Sequence, residues 1–217
     1  MKRLSVLSYL CLSTLLGQPL NGQQSARAES SSISPDKQWE YKCAEFGLNQ
    51  CAPEMRKSGT DELAVDFDEV NVYDPEAAEA RVVWAPDSKR FAFNYSPPHP
   101  HHTTYKTVAF FQLRDEKWVV LRSPEDTLVK LAKELLPKNV HKTTDELIPD
   151  VVKVRSWSDA STVIVFSAWH PWKFDRHSNQ LEAALLLTIN FKEDGSWTIT
   201  KKQRLAKKEI EKFESED

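Results

Sequence analysis

Glycine is scarce in this chain, with five residues in 217. Beyond the N-terminal segment only Gly47, Gly59 and Gly195 remain, far apart. Phosphate-cradling loops need clustered glycines, because backbone amides reach a phosphate only where no Cβ intervenes. Their isolation here excludes a P-loop and a dinucleotide fingerprint. No G-x-S-x-G elbow and no H-E-x-x-H helix occurs, so two common hydrolase signatures are missing as well. Cysteine appears three times and never as C-x-x-C, which removes the usual zinc-ribbon and redox patterns. An excess of basic residues is also lacking. Lys and Arg number 29 against 32 Asp and Glu, so nucleic acid would meet no positive field to displace its counterions. No apolar run is long enough to cross a bilayer. Carboxylates are abundant, but no pair poised for acid–base work stands out in the sequence. The motifs lean against an enzyme and leave open a hydrolase with a scattered site.

The chain does carry an export signature. Lys2 and Arg3 precede an apolar run from Leu4 to Leu16, and Ala26-Arg27-Ala28 supplies a small-residue cleavage site. This predicts a secretory signal peptide over residues 1–28 and a periplasmic or secreted protein. Gly17 and Pro19 break the apolar run before it could span a membrane. Cleavage would leave 189 residues and, by removing three basic residues and no acidic ones, shift the formal charge from −3 to −6. That length suits a single domain, 29–217. Such a surface favours a neutral or basic partner, or a small ligand. Cys43 and Cys51 would be the two cysteines left, and in an oxidising compartment they are expected to form a disulfide. Two free thiols or half of a metal site are the rival readings.

The remaining pattern is one of short strands. Arg81 to Ser96, R-V-V-W-A-P-D-S-K-R-F-A-F-N-Y-S, reads as strand, tight turn, strand. Pro86 presets the turn dihedral, and Asp87 and Ser88 can bond back to turn amides. Strands are expected at 81–84, 90–95, 105–113 and 117–122. The same order returns at 151–157, 162–168, 181–191 and 196–201, giving two four-stranded antiparallel meanders over 81–122 and 151–203. Asp36, Asp115 and Asp194 each open a D-x-x-W step and lie 79 residues apart, which favours an internal repeat. An N-terminal sheet with the disulfide loop is expected over 29–80. Between the meanders, in 123–150, Ser123, Pro124, Glu125 and Asp126 form a helix start. Leu128, Val129, Leu131, Ala132, Leu135 and Leu136 continue it as an apolar stripe. The tail 204–217 is highly charged. The fold class is thus mainly β with one inserted helix.

W-A-P-D-S-K-R-F-A-F over Trp84–Phe93, and more loosely S-W-S-D-A-S-T-V-I-V-F over Ser156–Phe166, resemble the hairpin of TolB-type, WD-like β-propeller repeats. Ser34-Pro35-Asp36 begins a third match. The resemblance implies an exported scaffold or interaction module and carries no catalytic residues across. With fewer repeats than a closed ring needs, the expected architecture is an open or degenerate β-propeller. A β-sandwich is the alternative.

Two loops hold the candidate ligand residues. One, 96–104, contains His99, His101 and His102. The other, 169–180, contains Trp169, His170, Trp172, Asp175 and His177. If the meanders are repeats, both loops leave the same end. Imidazoles with a carboxylate would suit zinc, copper or nickel, although no established spacing is present and no cofactor is predicted. The two tryptophans could instead stack on a flat ligand. Exposed, proline-bent loops without any ligand explain the same residues. The other tryptophans, Trp39, Trp84, Trp118, Trp157 and Trp197, are read as inter-sheet packing. The primary reading is a non-catalytic exported module that binds a protein or cell-envelope ligand. A metal-binding protein or metal-dependent hydrolase is the alternative.

Overall fold

A computed structural model describes residues 32–46, 50–70, 77–97, 106–124, 147–171 and 183–206, with single positions at 72, 75, 127, 128, 130, 131, 134, 208 and 209. The chain is mainly β. Its strands are β1 (Trp39–Phe46), β2 (Gln50–Lys57), β3 (Leu63–Asp66), β4 (Arg81–Trp84), β5 (Arg90–Tyr95), β6 (Thr107–Arg114), β7 (Lys117–Leu121), β8 (Leu147–Trp157), β9 (Thr162–Pro171), β10 (Ala183–Phe191) and β11 (Trp197–Arg204). They form three antiparallel meanders: a first sheet β1-β2-β3, a middle sheet β4-β5-β6-β7 and a third sheet β8-β9-β10-β11.

The middle sheet is apolar on both faces because both are covered. Val82, Phe91, Phe93 and Phe111 pack with Tyr41, Met55, Val65 and Phe67 of and beside the first sheet. The alternate residues Val83, Ala92, Val108 and Phe110 pack with Val152, Val154, Val163, Val165 and Leu187 of the third. Period-two alternation thus sends consecutive residues into two different cores. Phe67 is fully buried and meets the rings of Phe93 at 4.7 Å and Phe111 at 5.4 Å.

Turn chemistry recurs with the sheets. The Lys37 amide donates to the Ser34 carbonyl (2.8 Å) and the Ser34 amide to the Trp39 carbonyl (2.9 Å). The Ser88 amide donates to Ala85 (3.0 Å) and the Ala85 amide to Arg90 (2.9 Å) in the same pattern. In each, the Asp carboxylate accepts from the amide two residues on: Asp36 from Gln38 and Asp87 from Lys89, both at 3.0 Å. In each, the next residue is left-handed, Lys37 at φ 61° and Ser88 at φ 60°. Such a backbone is strained for a side chain bearing Cβ. Ser88 compensates by accepting the Asp36 amide on its buried hydroxyl (2.9 Å), which ties the first turn to the second. Asp36 therefore sits in a turn equivalent to that of Asp87, which joins β4 to β5, although its own turn leads into β1, the first strand of its sheet. Asp115 and Asp194 precede the last strands. The equal spacing of the three aspartates joins two kinds of turn.

Polar side chains fasten the middle sheet to the third. Arg90 is buried, and its guanidinium donates to the carbonyls of Ala160 (3.2 Å) and Lys192 (3.1 Å). Gln112 donates to the Glu193 carbonyl at 2.8 Å. The Trp157 indole donates to Val83 O and that of Trp197 to Arg122 O, each at 2.9 Å. Trp39, Trp84 and Trp118 instead pack around one another, with centroids 5.5 Å (Trp39–Trp118) and 5.9 Å (Trp84–Trp118) apart, edge to face. The five tryptophans read as packing residues do contact neighbouring sheets or their turns.

The Cys43–Cys51 disulfide is present, spanning the β1–β2 hairpin with Cα atoms 5.3 Å apart. Several expectations need correction. The inserted helix is not seen as an element among the described residues. Thr127, Leu128, Lys130, Leu131 and Glu134, the described positions there, have helical geometry, and Leu128 and Leu131 are buried in the core between the middle and third sheets. The apolar stripe of that segment supplies core side chains, and most of 123–146 lies outside the described residues. β8 begins at Leu147 rather than 151, because Pro149, which cannot donate to a ladder, is absorbed at a bulge before Val151. β11 runs on to Arg204, into the charged tail. The expected signal peptide, residues 1–28, lies outside the described residues. Among the described residues no helix is long and apolar enough to cross a membrane.

Candidate functional site

The strand directions define two ends. Tight turns close one end: 85–89, 115–116, 158–161 and 192–196. At the opposite end the chain leaves β5 at Tyr95 and re-enters β6 at Thr107, and it leaves β9 at Pro171 and re-enters β10 at Ala183. A parallel bridge pairs Lys106 with Val151. Val151 pairs with Ala168, which pairs with Ala184. Both long connections therefore depart from the same end, as the repeat implied.

Of the eight candidate residues, His99, His101, His102, Trp172, Asp175 and His177 lie outside the described residues. Trp169 and His170 belong to β9 rather than to a loop. Trp169 pairs with Ala183 and Pro149, and His170 pairs with Ile148. The strand continues through them because the early start of β8 supplies pairing partners that local propensity does not reveal. Among the described residues no group of three or more His, Cys, Asp or Glu side chains is arranged to hold a metal ion.

The free edge of β8 is the structural centre of this end. An edge strand presents unpaired amides and carbonyls that must find partners. Val152 donates its amide to Lys106 O at 2.9 Å. Val154 donates to Asn94 Oδ1 (2.8 Å), and Asn94 Nδ2 donates back to Val154 O at 2.9 Å. The Asn94 amide thus does what one residue of a neighbouring strand would do. Arg81, the first residue of β4, is the cross-strand partner of Asn94.

Around that edge stand cations. Lys153 and Arg155 alternate with the inward valines of β8, while Lys106 and Arg81 come from the middle sheet. Lys106 Nζ lies 2.8 Å from Glu79 Oε2. Lys153 Nζ stands 6.0 Å from the Phe166 ring centroid. Burial, reinforced by the charges of Lys106, Arg155 and Arg81 and opposed by Glu79, lowers the Lys153 pKa from 10.5 to about 8. The sequence reading missed this group. Its one local signal is the alternation V-K-V-R in β8.

The turn end is chemically different. Asp159 accepts from the amides of Ser161 and Thr162, both at 2.8 Å. Asp194 accepts from the amide and hydroxyl of Ser196 at 2.8 and 2.6 Å. Those hydrogen bonds, led by the Ser161 amide for Asp159 and the Ser196 hydroxyl for Asp194, hold both carboxyls below their usual range. They are ionised turn staples, poorly suited to act as general acids.

Fold and site together describe three antiparallel meanders with tight, hydrogen-bonded turns at one end and, at the other, long connections and four clustered cations. No known protein-family model and no curated protein sequence matches this chain.

Proposed function

We propose that the chain is an exported, non-catalytic binding module, a propeller-like stack of repeats open at its ends, which engages a partner protein or cell-envelope ligand through its loop-bearing end. One observation carries the reading: three successive meanders stack face to face with the middle one buried on both sides, and both long connections leave one end. Rigid strands presenting loops at one end are the usual way a repeat scaffold displays a recognition surface. The resemblance of Trp84–Phe93 to TolB-type hairpins supports the same assignment. Export is supported by the leader-like residues 1–28 and by the Cys43–Cys51 disulfide.

Two measurements test this. The intact mass of the protein recovered from the producing cells should correspond to a chain beginning at Glu29, and a full-length mass would remove the export reading. A photocrosslinking residue at Pro97, the root of the first loop, should capture a defined partner. The same residue at Lys89, in the turn end, should not. Equal capture at both positions, or none at either, overturns the assignment of the loop end.

A further inference from the structure

In a chain that is formally −3, four cations of the described residues gather at the loop-bearing end. The placement is not a sequence cluster. Arg81 is fixed opposite Asn94, whose amide grips Val154 from both sides. Lys153 and Arg155 flank Val154 on β8. Lys106 is bridged to Val151, two residues before Lys153. Four cations from β4, the start of β6 and β8 are therefore brought to one edge by backbone contacts, with Glu79 held on Lys106 at 2.8 Å. Lys153 and Arg155 take part in further contacts, and Arg81 donates to the Ala78 carbonyl at 3.4 Å.

We propose that Arg81, Lys106, Lys153 and Arg155 form a binding site for an oxyanion, the phosphate or carboxylate group of the ligand that docks on this end. The proposal rests on the loop-end reading and specifies its ligand chemistry. Two guanidinium groups supply planar, paired donors that match the two oxygens of a carboxylate or phosphate, and two ammonium groups supply point charges. Phe166 beneath Lys153 is buried, so one wall of the site is apolar and poorly screened, which strengthens attraction to an anion. A protein with an acidic surface elsewhere repels anions until they reach this edge, which favours one bound oxyanion over diffuse coating by a polyanion.

The test is calorimetric titration of the folded wild type, at constant ionic strength, with sodium pyrophosphate as the phosphate probe and sodium citrate as the carboxylate probe. Saturable binding of one ion per chain is expected for at least one of them, and the tighter probe assigns the chemistry. Arg81→Gln/Arg155→Gln should weaken that binding at least tenfold, and Lys153→Gln provides a second variant should the double one not fold. Lys89→Gln/Lys192→Gln, at the turn end, should leave it unchanged. No saturable binding of either probe, or an equal loss in the turn-end control, overturns the site. If the Pro97 crosslink survives in Arg81→Gln/Arg155→Gln at full yield, the anion site fails while the loop-end assignment stands.

Discussion

Asn94 offers the sharpest test of how the repeats are joined. Its side-chain amide makes two hydrogen bonds to one backbone residue, donating to Val154 O and accepting from Val154 N. Val154 is buried, so a truncated partner leaves an amide and a carbonyl without replacement. Each orphaned group costs about 1–3 kcal/mol, while water admitted to the gap recovers part of it. Asn94→Leu, which fills the space and excludes water, should lower unfolding free energy by about 2–4 kcal/mol, and Asn94→Ala by somewhat less. Against a typical total of about 5–15 kcal/mol, either loss is large. Urea denaturation followed by tryptophan fluorescence measures the total, and hydrogen exchange at the Val154 amide localises it. That amide should lose protection in the variant, while the Val152 amide, held by Lys106 O, should retain it. A loss below about 1 kcal/mol with Val154 still protected would mean that apolar packing alone seats β8 on the middle sheet.

Three further outcomes are expected. Phe67→Ala removes a fully buried ring at the centre of the first core and should cost about 3–5 kcal/mol by the same denaturation assay. Replacing Cys43 and Cys51 by serine opens a hairpin closed across eight residues of separation and should cost about 2–3 kcal/mol, read as a fall in the urea midpoint relative to the oxidised protein. Lys153 binds its proton less tightly folded, at about 8 rather than 10.5, so the unfolded chain takes up more protons between those values. Stability from this group therefore rises with pH across that window, and the penalty is full below about 8. Solvent reaches part of the side chain, so the effect is about 1–2 kcal/mol. Lys153→Met should be more stable than wild type near pH 7, and the advantage should fade towards pH 10. Tyr41, whose pKa burial raises, acts in both proteins and cancels in the difference. An advantage constant across that range would refute the assignment.

What could be read from sequence was what local chemistry decides. Residues 81–84 and 90–95 were expected as strands and are strands, because Pro86, Asp87 and Ser88 specify their turn without help from the rest of the fold. The disulfide followed from there being two cysteines beyond the expected leader. Errors arose where distant residues decide. β9 runs on through Trp169 and His170 because residues 147–149 pair with it, and no local signal in a W-H-P stretch announces that partner. Pro149 cannot donate to a ladder, and a bulge accommodates it. The cations at the loop end are assembled by the Lys106–Val151 bridge and the Asn94 clasp, both contacts between segments more than 40 residues apart, so composition reported only a mildly acidic chain. The D-x-x-W spacing misled because one short pattern serves two kinds of turn.

Burial of the middle sheet on both faces changes what fixes its alignment. In a half-exposed strand, a one-residue slip turns apolar groups to water and is penalised by solvation. In β5, Phe91, Ala92 and Phe93 are all buried, so for these three residues exposure does not distinguish the correct pairing from its neighbour. Volume can. Ala92 lies opposite Phe110, and Phe93 lies opposite Ala109, each small residue facing a large one. A slip that set Ala92 against Ala109 would leave methyl facing methyl and lose the size match at both positions. Side-chain size thus helps fix the pairing of this strand, beside the polar anchors Arg90 and Asn94, and exchanging sizes at 92 and 93 would remove that help while leaving the hydropathy profile almost untouched.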